Sequence, residues 1–151
     1  MVSCPDSLLW EVTKRNHCFL KKRNGRTART GKVEFSSEKG NIKSLNQFKY
    51  SGIANSRVFD VRCTADNKAE LIIKTAGKCA TQPNKTNAVI ALNKSDFRKV
   101  EKTIKNTTSA VFYRRDLEAA ALGKWTKVYQ ANKRANGTKK IIPVKCGRGS
   151  Y

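Results

Sequence analysis

The sequence predicts an α+β fold, in which a small, mostly antiparallel sheet in the N-terminal part is followed by two helices and a basic extended tail. Two observations carry this prediction. Up to about residue 92, short runs alternate apolar and polar residues, which is the period of half-buried strands. From Ser95 onward the apolar residues recur at spacings of three and four, which is the period of an amphipathic helix.

The first predicted strand covers residues 8–14. Its alternate residues form an apolar face that includes an aromatic and a β-branched side chain, namely Leu8, Trp10 and Val12. We therefore expect Trp10 to lie in the core. A second strand is predicted over residues 18–22, where an apolar run restarts and can pair back on the first strand. Residues 33–35 alternate briefly and predict a third, short strand.

Two stretches between the predicted strands follow neither period. Residues 23–32 consist mostly of Gly, Thr, Asn and Arg with almost no apolar side chain, which predicts a basic loop that becomes ordered only with a partner. Residues 40–55 contain aromatic and aliphatic side chains interrupted by Gly and Asn, which predicts an irregular but well-packed excursion. Within it we expect Phe48 to be buried, because Phe is usually an interior residue.

The remaining predicted strands form a hairpin and an edge. Residues 57–63 and 69–74 are rich in β-forming side chains and flank Asp66-Asn67, a pair that suits a tight turn. A polar loop over residues 76–87 follows. Residues 88–92 are a last short apolar run, which predicts an edge strand.

Two helices are predicted in the last third of the chain. Ser95 is a natural N-cap for the first, whose apolar face consists of Phe97, Val100 and Ile104. The second begins near Arg115 or Asp116 and presents one face made of Leu117, Ala121, Trp125 and Val128.

The length of 151 residues suits a single domain. We expect one α+β domain over residues 1–132, with strands over about 8–92 and helices over about 95–132. A basic C-terminal extension over residues 133–151 follows it.

The charge of the chain favours a polyanionic partner. Lys and Arg number 32 against 11 Asp and Glu, so the formal net charge is +21. Such a surface repels itself, and nucleic acid is the commonest partner that relieves this repulsion, ahead of acidic membranes and acidic proteins. The positive charge is concentrated between Glu11 and Glu34 and again after Glu118, since neither stretch contains an acidic residue.

Enzyme, metal and membrane functions find no support in the sequence. No two of the five cysteines lie within four residues of each other, so zinc-finger spacing is absent, and His17-Cys18 alone is a weak ligand pair. Nucleotide loops and paired-carboxylate motifs are also absent from the sequence. Apolar runs fall short of the ~20 residues that span a bilayer. We therefore expect no catalytic residue, cofactor, metal, membrane or small-molecule substrate.

Basic residues and one aromatic are the candidate nucleic-acid ligands. For Tyr50 the alternatives are base stacking, with Lys49 on the phosphate, and a place in the core. For Arg114-Arg115 the alternatives are a local ion pair among Arg115, Asp116 and Glu118 and phosphate binding at the start of the helix. The predicted RNA-binding set is Lys14, Arg15, Lys21, Lys22, Arg23, Arg26, Arg29, Lys32, Lys49, Tyr50, Arg114, Arg115, Lys124, Lys127, Lys133, Arg134, Lys139 and Lys140.

Several motifs together resemble a known family. They are Cys18-Phe19-Leu20, Val33-x-Phe35-Ser36-x-Glu38, Asn46-x-x-Lys49-x-Ser51-Gly52-x-Ala54-Asn55 and Tyr113-Arg114-x-Asp116-Leu117-x-x-Ala120-Ala121. In this order they resemble the eukaryotic large-subunit ribosomal protein family 28e, from about Leu8 to Val128. The tail over 141–151 departs from the family by its low content of Lys and Arg.

The resemblance implies a small sheet followed by helices and a structural role in the cytosolic large ribosomal subunit. It also implies binding to ribosomal RNA and neighbouring ribosomal proteins, with assembly in the nucleolus. Two alternatives stay open. One is a ribosome-assembly factor, whose sister family has a cysteine-rich first half and a long acidic tail that this chain lacks. The other is the accessory domain of an RNA-acting enzyme.

Overall fold

The computed structural model describes residues 4–23, 28–29, 31–75, 82, 85–92 and 96–137. The helices within these residues are α1 (Asp6–Thr13), α2 (Phe97–Thr108) and α3 (Glu118–Ala135). The strands are β1 (Leu20–Lys22), β2 (Glu34–Ser36), β3 (Phe59–Cys63), β4 (Ala69–Lys74) and β5 (Asn87–Leu92). Short 3₁₀-helices cover Phe48–Tyr50 and Arg115–Leu117. Two small antiparallel sheets combined with these helices confirm the predicted α+β class.

The larger sheet has the strand order β3-β4-β5, and both of its strand pairs are antiparallel. Its register places Val61 opposite Leu71 and Leu71 opposite Ile90. Val61 and Leu71 are completely buried, because they face the helices that cover the sheet. The predicted hairpin is confirmed, and β5 forms the edge that its position after the polar loop predicts.

The two C-terminal helices use the faces that their spacing predicts. α3 packs on β3 and β4, and α2 packs on α3. Val100 and Ile104 of α2 and Trp125 of α3 are buried together with the sheet residues. The ring of Trp125 stacks on Tyr129, with centroids 5.3 Å apart and an interplanar angle of 12°. The main core therefore lies between the three-stranded sheet and these helices.

The residues at the start of each of these two helices differ in detail from the prediction. The N-cap of α2 is Asp96, whose carboxylate accepts the backbone N–H of Arg98 at 3.1 Å, and Ser95 lies outside the described residues. The 3₁₀ turn Arg115–Leu117 precedes α3, and Arg114 before it has a left-handed φ of 45°. α3 extends to Ala135, three residues past the predicted end of the domain's helices.

The prediction of a strand over residues 8–14 is wrong. This stretch is the helix α1, and none of its residues is buried. Asp6 lies in the first turn, where a carboxylate favours helix formation, and it accepts the backbone N–H and the hydroxyl of Ser56 at 2.8 and 2.9 Å. Leu8 and Val12 are 52% and 72% exposed, so this stretch does not organise the core. Trp10 is half-buried, with its ring 6.0 Å from that of Phe48.

Instead of pairing with residues 8–14, β1 pairs with β2 in a separate two-stranded sheet. Lys21 lies opposite Phe35, and Lys22 lies opposite Glu34. The predicted basic loop joins these two strands, and residues 24–27 and 30 of that loop lie outside the described part of the chain. The short strand predicted near residues 33–35 is confirmed with a shift of one residue.

The excursion over residues 40–55 is irregular and well packed, as predicted, although Phe48 is 40% exposed rather than buried. Polar contacts hold much of it. The buried carboxylate of Glu38 accepts hydrogen bonds from Asn41 Nδ2 at 3.0 Å and from the Ile53 N–H at 3.2 Å. A Cβ at Gly52 would lie 2.2 Å from the carbonyl oxygen of Lys39, so only glycine fits this close backbone approach.

Candidate nucleic-acid interface

A group of cations gathers where the end of α1 meets the two-stranded sheet. We call it the hairpin cluster; it consists of Lys14, Arg15, Lys21, Lys22, Arg23 and Lys32. The ammonium of Lys22 donates to the carbonyl oxygen of Arg15 at 2.7 Å, which ties β1 to the residues after α1. A shallow cavity of about 230 Å³ lies among these elements and is lined by Trp10, Lys14, Arg15, Lys32, Glu34 and Asn46.

Glu34 lies at the centre of this cluster and fixes its geometry. Its carboxylate is 2.9 Å from the Lys32 ammonium and accepts a hydrogen bond from Asn46 Nδ2 at 2.8 Å. The same Asn46 amide group also donates to the Lys14 carbonyl oxygen at 3.0 Å. Burial acts to raise the pKa of Glu34, but the hydrogen bonds from Lys32 and Asn46 and the nearby positive charges outweigh it and lower the pKa below its ordinary value.

The carboxylates near the hairpin cluster neutralise only part of it. Glu11 pairs with Lys14, and Glu34 pairs with Lys32. Within the described residues no carboxylate oxygen lies within 4.0 Å of the charged groups of the other four members, which are Arg15, Lys21, Lys22 and Arg23. All four are exposed, so the cluster presents a net positive surface to solvent.

Lys49 and Tyr50 lie in the 3₁₀ turn of the excursion, next to the turn before α3. The ammonium groups of Lys43 and Lys49 are 5.3 and 5.9 Å from the centre of the Tyr50 ring. Tyr50 is half-buried and packs against the core. Lys49 also lies 3.7 Å from Asp116, an exposed pair that contributes little to stability.

Arg114 is engaged by the protein itself. Its guanidinium donates to the carbonyl oxygens of Arg57 and Lys49 at 2.8 and 2.6 Å and to the Asp116 carboxylate at 3.1 and 3.3 Å. Its side chain is only 15% exposed. Arg114 therefore fastens the turn before α3 to two distant segments, whereas its neighbour Arg115 is exposed and lies against the ring of Phe112.

The cations of α3 differ in exposure. Lys124 forms an ion pair with Asp60, and its ammonium also lies 3.3 Å from the Asn41 carbonyl oxygen. The predicted ligands Lys127, Lys133 and Arg134 are exposed on the same helix. Arg29 is exposed, while Arg26, Lys139 and Lys140 lie outside the described residues.

Sequence reasoning missed the buried polar centre that holds these surfaces together. Asp60 is completely buried in β3 and accepts hydrogen bonds from the Gly40 N–H at 3.2 Å and from Arg62 Nε at 3.0 Å, in addition to the Lys124 ion pair. The Arg62 guanidinium donates in turn to the Glu38 carbonyl oxygen. The available signal was a carboxylate between the apolar residues Phe59 and Val61 of a predicted strand, which requires a partner when it is buried.

The described residues contain neither a metal-binding group nor a membrane span. No cluster of three or more His, Cys, Asp or Glu side chains in that part of the chain could hold a metal ion. No helix in the same ranges has the length and apolar character needed to cross a membrane.

Comparison with known proteins gives a consistent result. The sequence model of the ribosomal L28e protein family matches residues 8–131. The chain is 32% identical over 124 residues to large ribosomal subunit protein eL28 of Dictyostelium discoideum, covering 82% of this chain and 86% of that protein. It is 34% identical over 101 residues to the Caenorhabditis elegans protein of the same name, covering 67% and 73% of the two chains. The Schizosaccharomyces pombe protein is 26% identical over 132 residues, with coverage of 87% and 96%.

Proposed function

The chain belongs to the ribosomal L28e protein family, and we propose from this membership that it binds ribosomal RNA as a structural constituent of the large ribosomal subunit. It is a ribosomal protein rather than an enzyme, and its place is the cytosolic ribosome. Assembly in the nucleolus and contact with neighbouring ribosomal proteins are part of the proposal.

The hairpin cluster carries the RNA-binding part of the proposal. Four of its six cations have no carboxylate oxygen within 4.0 Å among the described residues, and all four are exposed on one small structural unit. Several like charges held close together repel one another, and this repulsion is relieved when an anionic partner binds. Ribosomal RNA supplies phosphates at regular spacing, and each phosphate that a Lys or Arg neutralises releases a counterion.

The chemistry of Lys21 and Lys22 favours phosphate contacts over base reading. Lys21 and Lys22 are point charges without the planar fork that reads base edges, and Lys22 is already oriented by the Arg15 carbonyl oxygen. We add Arg29, Lys127, Lys133 and Arg134 to the interface because they are exposed, and retain Lys49, Tyr50 and Arg115. We leave out Arg114 and Lys124, whose charged groups are occupied by protein partners.

Replacing Arg15, Lys21, Lys22 and Arg23 together by Ala should weaken binding to all RNA by similar factors. If each makes one phosphate contact, the slope of log affinity against log salt should fall by roughly 3 in total, since each contact contributes roughly 0.7–0.9. Affinity is measured across a salt series for a large-subunit RNA fragment and for an unrelated duplex. Sucrose-gradient sedimentation of the tagged protein tests its stoichiometric presence in large subunits.

A charge-matched variant is the control for this experiment. Replacing Arg98, Lys99, Lys102 and Lys105 of α2 by Ala removes the same charge from a helix outside the predicted interface. We expect a much smaller change in slope for it. Equal losses for both variants would mean that only net charge matters, and a loss confined to the ribosomal fragment with an unchanged slope would mean that the hairpin cluster reads bases or shape.

A further inference from the structure

The turn between α2 and α3 presents an aromatic ring to solvent. Phe112 is 73% exposed and its neighbour Val111 is 69% exposed. Phe112 also has a φ of 53°, in the left-handed region that bulky L side chains seldom adopt. An exposed ring held in a disfavoured backbone conformation contributes nothing to the core, and such strain is retained where the surrounding structure enforces it and commonly marks a functional position.

Contacts on both sides hold this turn in place. The N–H of Tyr113 donates to the Thr108 carbonyl oxygen at 2.9 Å, and its hydroxyl donates to the Lys74 carbonyl oxygen at 2.8 Å. On the other side of the turn, the Glu118 carboxylate accepts hydrogen bonds from the hydroxyls of Thr108 and Ser109. Because the flanking residues are fixed to the sheet and to α3, the Phe112 ring remains displayed at the surface.

A cation lies directly against this ring. The guanidinium carbon of Arg115 is 5.3 Å from the centre of Phe112, within the range of a cation–π contact. Arg115 is exposed and has no carboxylate within 4.0 Å among the described residues. The guanidinium thus lies over one face of a ring that is 73% exposed, so apolar ring surface and positive charge are adjacent, which matches a nucleotide with its aromatic base and its phosphate.

We propose that Phe112 is a stacking platform for an unpaired RNA base, with Arg115 binding the phosphate next to that base. This inference rests on the proposed function. A net charge of +21 favours a polyanionic partner, so an exposed ring bordered by an exposed guanidinium fits a nucleotide better than an apolar protein pocket. The platform differs from the hairpin cluster in chemistry, because it contacts the base.

The test compares two oligomers of about 12 nucleotides, one of adenylate and one abasic, with the same backbone charge. Phe112→Ala in the full-length protein should weaken binding to the adenylate oligomer by roughly 5- to 100-fold and leave the abasic oligomer unaffected. Phe112→Leu should behave as Phe112→Ala, since it keeps the bulk without the ring, and Phe112→Trp should retain wild-type affinity. Val111→Ala is the matched control and should change neither affinity.

Phe112→Gly separates stacking from a structural role, because glycine adopts the left-handed conformation without strain. We expect a melting temperature equal to or above that of the wild type, together with the same loss of adenylate binding. An equal effect of Phe112→Ala on both oligomers, or none on either, overturns the platform. Failure of the proposed function is a different result: the wild-type protein would bind the abasic oligomer without salt dependence, and the hairpin-cluster variant would bind it as well as the wild type.

Discussion

Asp60→Ala should lower the free energy of unfolding by about 3–5 kcal/mol, because it leaves two partly buried cations without their counter-charge and two buried backbone N–H groups without an acceptor. The Asp60 carboxylate is fully buried and binds Lys124, Arg62 and the backbone N–H groups of Gly40 and Val61. These partners come from α3, from β3 and from the excursion, so a single side chain joins three parts of the fold. Urea unfolding followed by far-UV circular dichroism measures the loss.

Asp66→Ala is the matched control for this prediction. Asp66 lies exposed in the β3–β4 turn, and its removal should change stability by no more than about 0.5 kcal/mol. Combining Asp60→Ala with Lys124→Ala should cost less than the sum of the two single variants, since the second change removes the stranded charge. If Asp60→Ala were no more costly than Asp66→Ala, the ion pair between β3 and α3 would not form in the folded protein.

The same network links stability to the proposed interface. At the start of the excursion, the Gly40 N–H donates to the Asp60 carboxylate. The next residue, Asn41, accepts the Lys124 ammonium at its carbonyl oxygen. The excursion continues to Lys49 and Tyr50, whose surface therefore depends on a carboxylate that touches no RNA in our proposal. A loss of RNA affinity in Asp60 variants would reflect this positioning, and it should be accompanied by the loss of stability.

The spacing of apolar residues in the sequence was sufficient to predict the three-stranded sheet and the two long helices. In β3, β4, α2 and α3 the apolar side chains that set the period are the same ones that are buried, for example Val61, Leu71, Ile104 and Trp125. It failed for residues 8–14, where the alternation of Leu8, Trp10 and Val12 indicated a strand. No residue of α1 is buried, so this alternation was not imposed by a core, and Leu8 and Val12 are equally compatible with the spacing of a helix.

Composition was sufficient to identify the basic residues of the candidate interface. It could not show which of them are bound by other groups of the protein. Lys124 and Lys127 look alike in the sequence, yet the partner of Lys124 is Asp60, 64 residues away. Arg114 likewise binds carbonyl oxygens 57 and 65 residues away, whereas the adjacent Arg115 stays exposed. Which cation is satisfied internally depends on tertiary packing. Phe112 was missed for a similar reason, since its exposure and its positive φ follow from how the turn is anchored on both sides.

Trp125→Ala should cost about 3–5 kcal/mol, whereas Trp10→Ala should cost roughly 1–2 kcal/mol. Both changes delete the same indole, but Trp125 is 3% exposed between α3 and the sheet, and Trp10 is half-buried on a helix without a buried residue. Each variant therefore serves as the control for the other.

Thermal melts of the two variants followed by far-UV circular dichroism measure this difference, with Phe97→Ala as a further comparison. The Phe97 ring lies 5.7 Å from that of Trp125 but is 43% exposed, so its removal should cost less than that of Trp125. Equal costs for Trp10→Ala and Trp125→Ala would mean that α1 belongs to the cooperative core after all. A larger cost for Trp125→Ala than for Trp10→Ala would locate the core in the β3-β4-β5 sheet and its two helices. In that case α1 and the hairpin cluster form a peripheral layer that is available to a partner.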